Sequence, residues 1–188
     1  MAIDFGTKKQ MNLSTYRKSN IEEIKQLFTT VFTDSEGQSE GLVIGSLAYD
    51  LMINTNAEDL HGFIAADHGE IIGSILFSRI TFDSDVSAFI LSPVAIHTDY
   101  QRKGIGQKLI NFGINYLKEN NVELVFTYGD PKFYSKVGFN LIAEKVIKAP
   151  LKLTYPEGWL GQSLVSNEIH PIVGNSYCVE ALNKPELW

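Results

Sequence analysis

A chain of 188 residues is long enough to close one hydrophobic core without disulfides or metal staples, and its 44% hydrophobic and 20% charged content is that of an ordinary folded domain. A net charge of −6 argues against a broad nucleic-acid or anionic-membrane surface, and no apolar run approaches the roughly 18 residues that a membrane span requires. The single cysteine, Cys178, excludes an intramolecular disulfide, and no His/Cys/Asp/Glu grouping has metal-ligand spacing. The expectation is one domain over 1–188, with no metal and no nucleic-acid or membrane partner. Met1-Ala2-Ile3-Asp4-Phe5-Gly6 lacks the pattern of a secretory signal, which points to the cytoplasm.

Residues 1–11 carry no period, as either a loose segment or an edge strand would, and Met11 to Arg17 reads as a short first strand. Ser19, with Glu22 three residues on, has capping-box spacing and predicts a helix start. Ile21, Ile24, Leu27, Phe28, Val31 and Phe32 then recur on one helical face. Asp34-Ser35-Glu36-Gly37 interrupts that pattern, and Ser39-Glu40 opens a second helix carrying Leu42, Val43, Leu47 and Leu51. Gly62 to Ala66 and Ile71 to Phe77 flank Asp67-His68-Gly69-Glu70, a strong hairpin signal.

A turn at Asp83-Ser84-Asp85 leads into a strand from Val86 to Ile96. Pro93 cannot donate to a ladder, so it predicts a bulge or an edge there. A helix follows through Ile105, Leu109, Phe112 and Tyr116 to about Asn120, and Val122 to Thr127 is the next strand. A helix crossing between two strands requires them to be parallel, so the sheet is mixed. Residues 140–188, punctuated by Pro150, Pro156, Pro171 and Pro185, add the last strands and loops. Within them Ser176-Tyr177-Cys178-Val179 is strand-like, and Cys178 reads as a packed thiol.

Between the Val86–Ile96 strand and its helix lies Gln101-Arg102-Lys103-Gly104-Ile105-Gly106. Free backbone N–H groups, the positive end of a helix dipole and two cationic side chains meet there, the makings of a pyrophosphate cradle. Gly104 and Gly106 each cost roughly 1 kcal/mol against alanine in a first helical turn, and close approach of a ligand to backbone is the simplest reason to keep both. The segment is neither a P-loop, which needs Gly-Lys-Ser/Thr, nor a dinucleotide fingerprint, which needs a third glycine where Leu109 stands.

The segment resembles the acetyl-coenzyme A signature of the GCN5-related N-acetyltransferase (GNAT) family, Gln/Arg-x-x-Gly-x-Gly/Ala a few residues beyond a central strand. Val94-Ala95-Ile96 match the strand end and Tyr100 the usual aromatic, while Thr98 stands where proline is common. Downstream, Tyr134-x-x-x-Gly138-Phe139 is similar to the family's passage from an aromatic helix to a strand, where a tyrosine often faces the coenzyme A sulfur. Gly129-Asp130-Pro131 with the paired aromatics Phe133 and Tyr134 also resembles a bacterial branch of N-acetyltransferases whose substrates are mostly unassigned. The resemblance covers roughly residues 12–148, leaving 149–188 as C-terminal strands and substrate-side loops.

It implies an α+β GNAT acyl-CoA N-acyltransferase fold: a mixed, mostly antiparallel sheet, flanked by helices and splayed between two central parallel strands to admit pantetheine. The first two helices would form the substrate-side wall. It also implies acetyl-CoA as cosubstrate, with Val94, Ala95, Ile96, Gln101, Arg102, Lys103, Gly104, Ile105 and Gly106 as its binding residues. A backbone N–H near Val94 to Ile96 would bond the thioester carbonyl. Tyr134 would be the catalytic acid, because a phenol near pKa ~10 can protonate a thiolate only when positioned against its sulfur. Phe133 and Tyr128 read as packing residues. No base stands out among His61, His68, His97, His170, Asp130, Glu36 and Glu40, although His97 lies nearest the cofactor strand.

The leading expectation is therefore an N-acetyltransferase in which a primary amine, on a small molecule or a protein, attacks acetyl-CoA directly in a ternary complex. The alternative is a catalytically silent acyl-CoA-binding sensor or interaction module. A monomer and a homodimer are both compatible with the sequence.

Overall fold

The side chains of β-strand neighbours alternate between faces, so a strand apolar at every position must be covered on both sides. β3 (Glu70–Phe82) has such a stretch in Ile75-Leu76-Phe77, all at 0% exposure. A computed structural model of the protein describes residues 11–188. In it β3 lies inside an eight-stranded sheet with β1 (Asn12–Thr15), β2 (Leu60–Asp67), β4 (Ala88–Ile96), β5 (Leu124–Tyr128), β6 (Asn140–Leu141), β7 (Trp159–Ser163) and β8 (Ser176–Cys178). The order is β1-β2-β3-β4-β5-β7-β6, with β8 pairing β3 beside Ile80 to Phe82, beyond the end of β2. Among the described strands only β4 and β5 are parallel, as the crossing helix α3 (Ile105–Glu119) requires. The part of the loose-or-edge segment that falls on residues 1–10 lies outside the described residues.

Two cores result. Leu76, Ile90, Ala95, Phe126 and Trp159 face α1 (Ile21–Glu36) and α2 (Gln38–Asn54). Ile75, Phe77, Phe89, Leu91 and Val125 face α3, and the short α4 (Pro131–Tyr134) follows β5 on that side. The mixed, mostly antiparallel sheet flanked by helices matches the expected architecture.

Two local expectations fail. Ser19 does not cap α1; it sits in a single 3₁₀ turn, Lys18–Asn20, and Asn20 is the residue that precedes the helix. Asn20 Oδ1 accepts the Arg17 N–H at 2.9 Å, so the side chain closes the turn before the helix begins. On α2, Leu42 and Val43 are 57% and 42% exposed, whereas Gly41, Ile44, Gly45, Leu47, Ala48 and Leu51 are buried. The reason is the close crossing of the two helices. A Cβ at Gly41 would overlap Thr33 Oγ1 and the Thr29 carbonyl, and one at Gly45 would overlap Thr29 Oγ1. The glycines therefore face α1, and this rotates Leu42 and Val43 outward. Counting only large apolar residues as core misreads the helix by part of a turn.

Gly45→Val should consequently destabilise the fold by about 1–3 kcal/mol through overpacking, while Leu42→Ser should stay within about 0.5 kcal/mol of the parent. Urea unfolding of both variants checks this. Equal losses would return Leu42 to the core.

Candidate active site

The turn entering α3 is built from left-handed residues. Arg102 has φ 60° and Gly104 φ 76°. At Gly104 the glycine is needed for that conformation, since a Cβ there would meet no atom within 4 Å. Gly106 has ordinary helical backbone, but a Cβ there would reach Phe133 at 3.4 Å and Ile96 at 3.5 Å, narrowing the space between α3 and α4. The two glycines thus have different causes, and only the second concerns close approach. The first α-helical bond of α3 runs from Lys108 N–H to Gly104 C=O at 3.1 Å. The N–H groups of Ile105, Gly106 and Gln107 therefore have no acceptor within the helix, and Gly104 has no side chain to cap them.

These amides open into a groove of about 580 Å³ lined by Val94, Ile96, Gln101, Arg102, Gly104, Ile105 and Gly106. Two expected residues are not brought to it. Lys103 Nζ instead donates to the Asp99 carbonyl at 2.9 Å and lies 5.1 Å over the Tyr100 ring. Ala95 is 1% exposed in the core beneath α1 and α2. Sequence reasoning in turn missed Val31, Gln107, Phe133 and Lys136 as groove residues. Lys136 supplies from the opposite wall the second cation that Lys103 does not. Nothing in its local pattern signals this, because the wall forms only when residues 131–137 fold back toward α3.

Val94 and Ile96 of this groove lie on β4 just past a fork between β4 and β5. Their parallel pairing runs from Ala88 opposite Leu124 to Leu91 opposite Thr127 and stops. On the other edge of β4, Leu91 pairs Phe77 and Val94 pairs Ile75, so Ser92 and Pro93 together oppose the single Leu76. This is the bulge that Pro93 predicts. Beyond it, His97 N–H donates to the Ile72 carbonyl at 2.8 Å. Two-residue alternation then turns the amide of Ala95 toward β3 and those of Val94 and Ile96 toward the open fork. Gln101 Nε2 takes the outward Ile96 carbonyl at 3.0 Å, tying the cradle loop to the strand end. Thr98, where proline is common, donates its hydroxyl to Asp34 Oδ2 at 2.7 Å and so fastens the end of α1 to the same loop.

Asp130 caps α4, accepting the Lys132 N–H at 2.9 Å, and Pro131 occupies the first helical position. The helix is only one turn long, yet it delivers Tyr134 to the fork. The half-buried ring lies edge-on to Phe133 (5.0 Å between centroids, 80°) and to Phe139 (5.7 Å, 73°). Its Cε2 would stand 2.7 Å from a Cβ at Gly129, so Gly129 has to be glycine for the ring to sit there. Burial pushes the Tyr134 phenol above its usual pKa; a hydrogen bond with Thr127 pulls the other way, and the charge of Asp130 adds to the rise. The group is therefore protonated at neutral pH, the state an acid needs.

The sequence pattern of the acetyltransferase (GNAT) domain matches residues 58–141, a stretch that contains the fork, the cradle and Tyr134. Over that stretch the chain is similar to the GNAT family. It is 29% identical over 169 residues to the "uncharacterized N-acetyltransferase YjhQ" of Escherichia coli K12, covering 87% of this chain and 89% of that protein. In fold it is similar to Escherichia coli YhbS, solved in complex with CoA (TM-score 0.79, 22% identity, 95% and 94% of the two chains). It is also similar to a GNAT acetyltransferase from Brucella melitensis solved with acetyl-CoA (TM-score 0.72, 20% identity, 93% and 99%).

Within this site the histidines do not gather. His97 Nδ1 accepts the Asp99 N–H at 3.3 Å and closes a turn. His68 sits in the β2–β3 hairpin at φ 53°. His61 packs between Phe89 and Tyr116, where burial first and Arg79 second hold its pKa below the usual value. Asp130 serves as a helix cap, and Glu36 and Glu40 stand at the junction of α1 and α2. Tyr128 is a packing residue as expected, stacked on Trp188 at 6.0 Å. No helix among the described residues is long and apolar enough to cross a membrane, and no group of three metal-ligating side chains occurs among them.

Cys178 lies in β8, at the far end of β3 from the cradle, and burial pushes its thiol up to about 11 from 9.0. Because the folded pKa is the higher one, the stability this group contributes is complete below pH 9.0 and is lost as pH rises through about 11. At about pH 8 a disulfide reagent should therefore label the native protein far more slowly than the urea-unfolded chain. Equal rates would contradict the packed thiol.

Proposed function

We propose that this protein acts as a GNAT enzyme and transfers the acetyl group of acetyl-CoA to a primary amine by direct attack, with both substrates bound together. The observation that carries the proposal is the groove itself, which joins the free first-turn amides of α3 to Val94 and Ile96 at the end of β4 and has Phe133, the neighbour of Tyr134, in its wall. The amides of Ile105, Gly106 and Gln107 suit a pyrophosphate, with Arg102 and Lys136 adding charge from the two walls. The outward amides of Val94 and Ile96 offer the hydrogen bonds of an unpaired strand edge to an extended amide-bearing arm. One of them would hold the thioester oxygen as charge develops on it. Acetyl-CoA, when bound, supplies the activated acyl group; the chain orients it and returns a proton to the departing sulfur.

Tyr134 is the acid in this reading. Its raised pKa keeps it protonated, and its seat against Gly129 fixes the direction of its hydroxyl. No side chain near the fork is needed as a nucleophile, and the half-buried, remote Cys178 is unsuited to be one. Silent acyl-CoA binding would leave both Tyr134 and the match to an acetyltransferase domain without a use. The acceptor is an amine on a small molecule or a protein, and the net charge of −6 suits a cationic one. Every residue invoked comes from one chain, so a monomer or a homodimer would serve equally. The whole chain acts as one catalytic domain, placed in the cytoplasm, where acetyl-CoA is available.

A thiol-release assay across a panel of amines tests the activity, and initial-rate plots against both substrates should intersect. Gly106→Val should leave the fold intact, because a Cβ there makes only ordinary contacts, yet weaken CoA binding by about tenfold or more as its methyls enter the groove. Calorimetric titration reads this, and unchanged affinity would remove the pyrophosphate assignment. Tyr134→Phe should lower kcat by about 10- to 1,000-fold with little change in CoA affinity. An unaltered kcat with chemistry as the slow step would return Tyr134 to a packing role.

A further inference from the structure

Thr127 is the last residue of the β4–β5 ladder and is wholly buried, at 0% exposure. Strand alternation puts Phe126 and Tyr128 under α1 and α2 and places Thr127 with Val125 on the face of α3 and α4, the face that carries Tyr134. Its Oγ1 donates to the Leu91 carbonyl at 3.0 Å, across the last register pair. A continuing strand would have satisfied that carbonyl with a backbone N–H; here β5 turns away, and the hydroxyl takes its place. Two residues further on, Gly129 lies against the Tyr134 ring. The same short segment therefore ends the ladder and forms the floor under the phenol.

Resting on the reading of Tyr134 as the acid, we propose that Thr127 is a positioning residue whose hydroxyl closes the ladder at the fork and supports Tyr134 as it gives up its proton. In that step the proton passes from Tyr134 Oη to the sulfur of the departing thiolate, leaving a phenolate. The Thr127 proton stays on its own oxygen but turns from the Leu91 carbonyl to the phenolate, so no atom is gained or lost by Thr127. A hydroxyl donor is required because a phenolate in a half-buried site has few other sources of hydrogen bonds. Thr127 already acts on the phenol in this direction, drawing its pKa down against the rise that burial imposes.

The test is a double-mutant cycle in the thiol-release assay. Thr127→Val removes the hydroxyl while keeping the shape, and Thr127→Ser keeps the hydroxyl. Thr127→Val should lower kcat by about 10- to 100-fold, with KM for acetyl-CoA changed by no more than about twofold. Thr127→Ser should restore kcat to within about threefold of the parent, and in a Tyr134→Phe background Thr127→Val should cost no further activity. If Thr127→Val does not fold, Thr127→Ala serves as the hydroxyl-free variant in the same cycle. An equal loss in both backgrounds, or no recovery with serine, overturns the proposal. Failure of the underlying acid reading shows separately, as a Tyr134→Phe enzyme with parental kcat.

Discussion

A parallel ladder that stops at Leu91 and Thr127 is the constraint on which the rest of the protein depends. α3 must cross from the end of β4 to the start of β5, which makes the two strands parallel and puts the N-terminus of α3 at the end where they diverge. The extra residue at Ser92–Pro93 shifts β4 against β3, and β5 ends one residue after Thr127. Backbone groups that would be paired in an uninterrupted sheet are thereby left facing a gap. Exposed strand edges attract any chain able to pair with them. Here the edge lies between two cores, and the groove from the cradle runs along it at Val94 and Ile96.

Charge is arranged on two scales. The chain as a whole carries −6, while the groove presents Arg102, Lys136 and the positive end of α3. A local anion site in an acidic protein has to be made from fixed dipoles and a few near charges, because exposed side chains more than about 10 Å away are screened at ordinary ionic strength. This explains why Lys103 can be turned to the Asp99 carbonyl without dismantling the site. The backbone amides, which no side-chain rotation can remove, supply the constant part of the field.

Much of this was legible in the sequence because it rests on local chemistry. The β2–β3 hairpin follows from Asp67-His68-Gly69-Glu70, the bulge from Pro93, and the cradle from glycines at the start of a well-patterned helix. What was not legible depends on contacts between distant elements. Whether Leu42 or Gly41 faces inward depends on Thr29 and Thr33 of the neighbouring helix. Ala95 and its neighbours look alike in sequence, and only the register with β3 decides which amide faces the fork. Lys136 and Phe133 become groove residues because the chain after β5 folds back on Gly106. Thr127 reads as an ordinary strand residue until the ladder is seen to end there. The acceptor side offers still less, since among the described residues the carboxylate near Tyr134, Asp130, serves as a helix cap and the histidines do not gather there.

The central claim is that the α3 amides and the outward edge of β4 receive one ligand together. Amide chemical shifts followed by NMR during titration with CoA test it directly, because each backbone group reports for itself. The account predicts that Val94, Ile96, Ile105, Gly106 and Gln107 shift as one set with a single apparent affinity, while Ala95, facing β3, responds less. Shifts confined to other surfaces, such as the pocket lined by Asp50, Asn54 and Lys184, would contradict it.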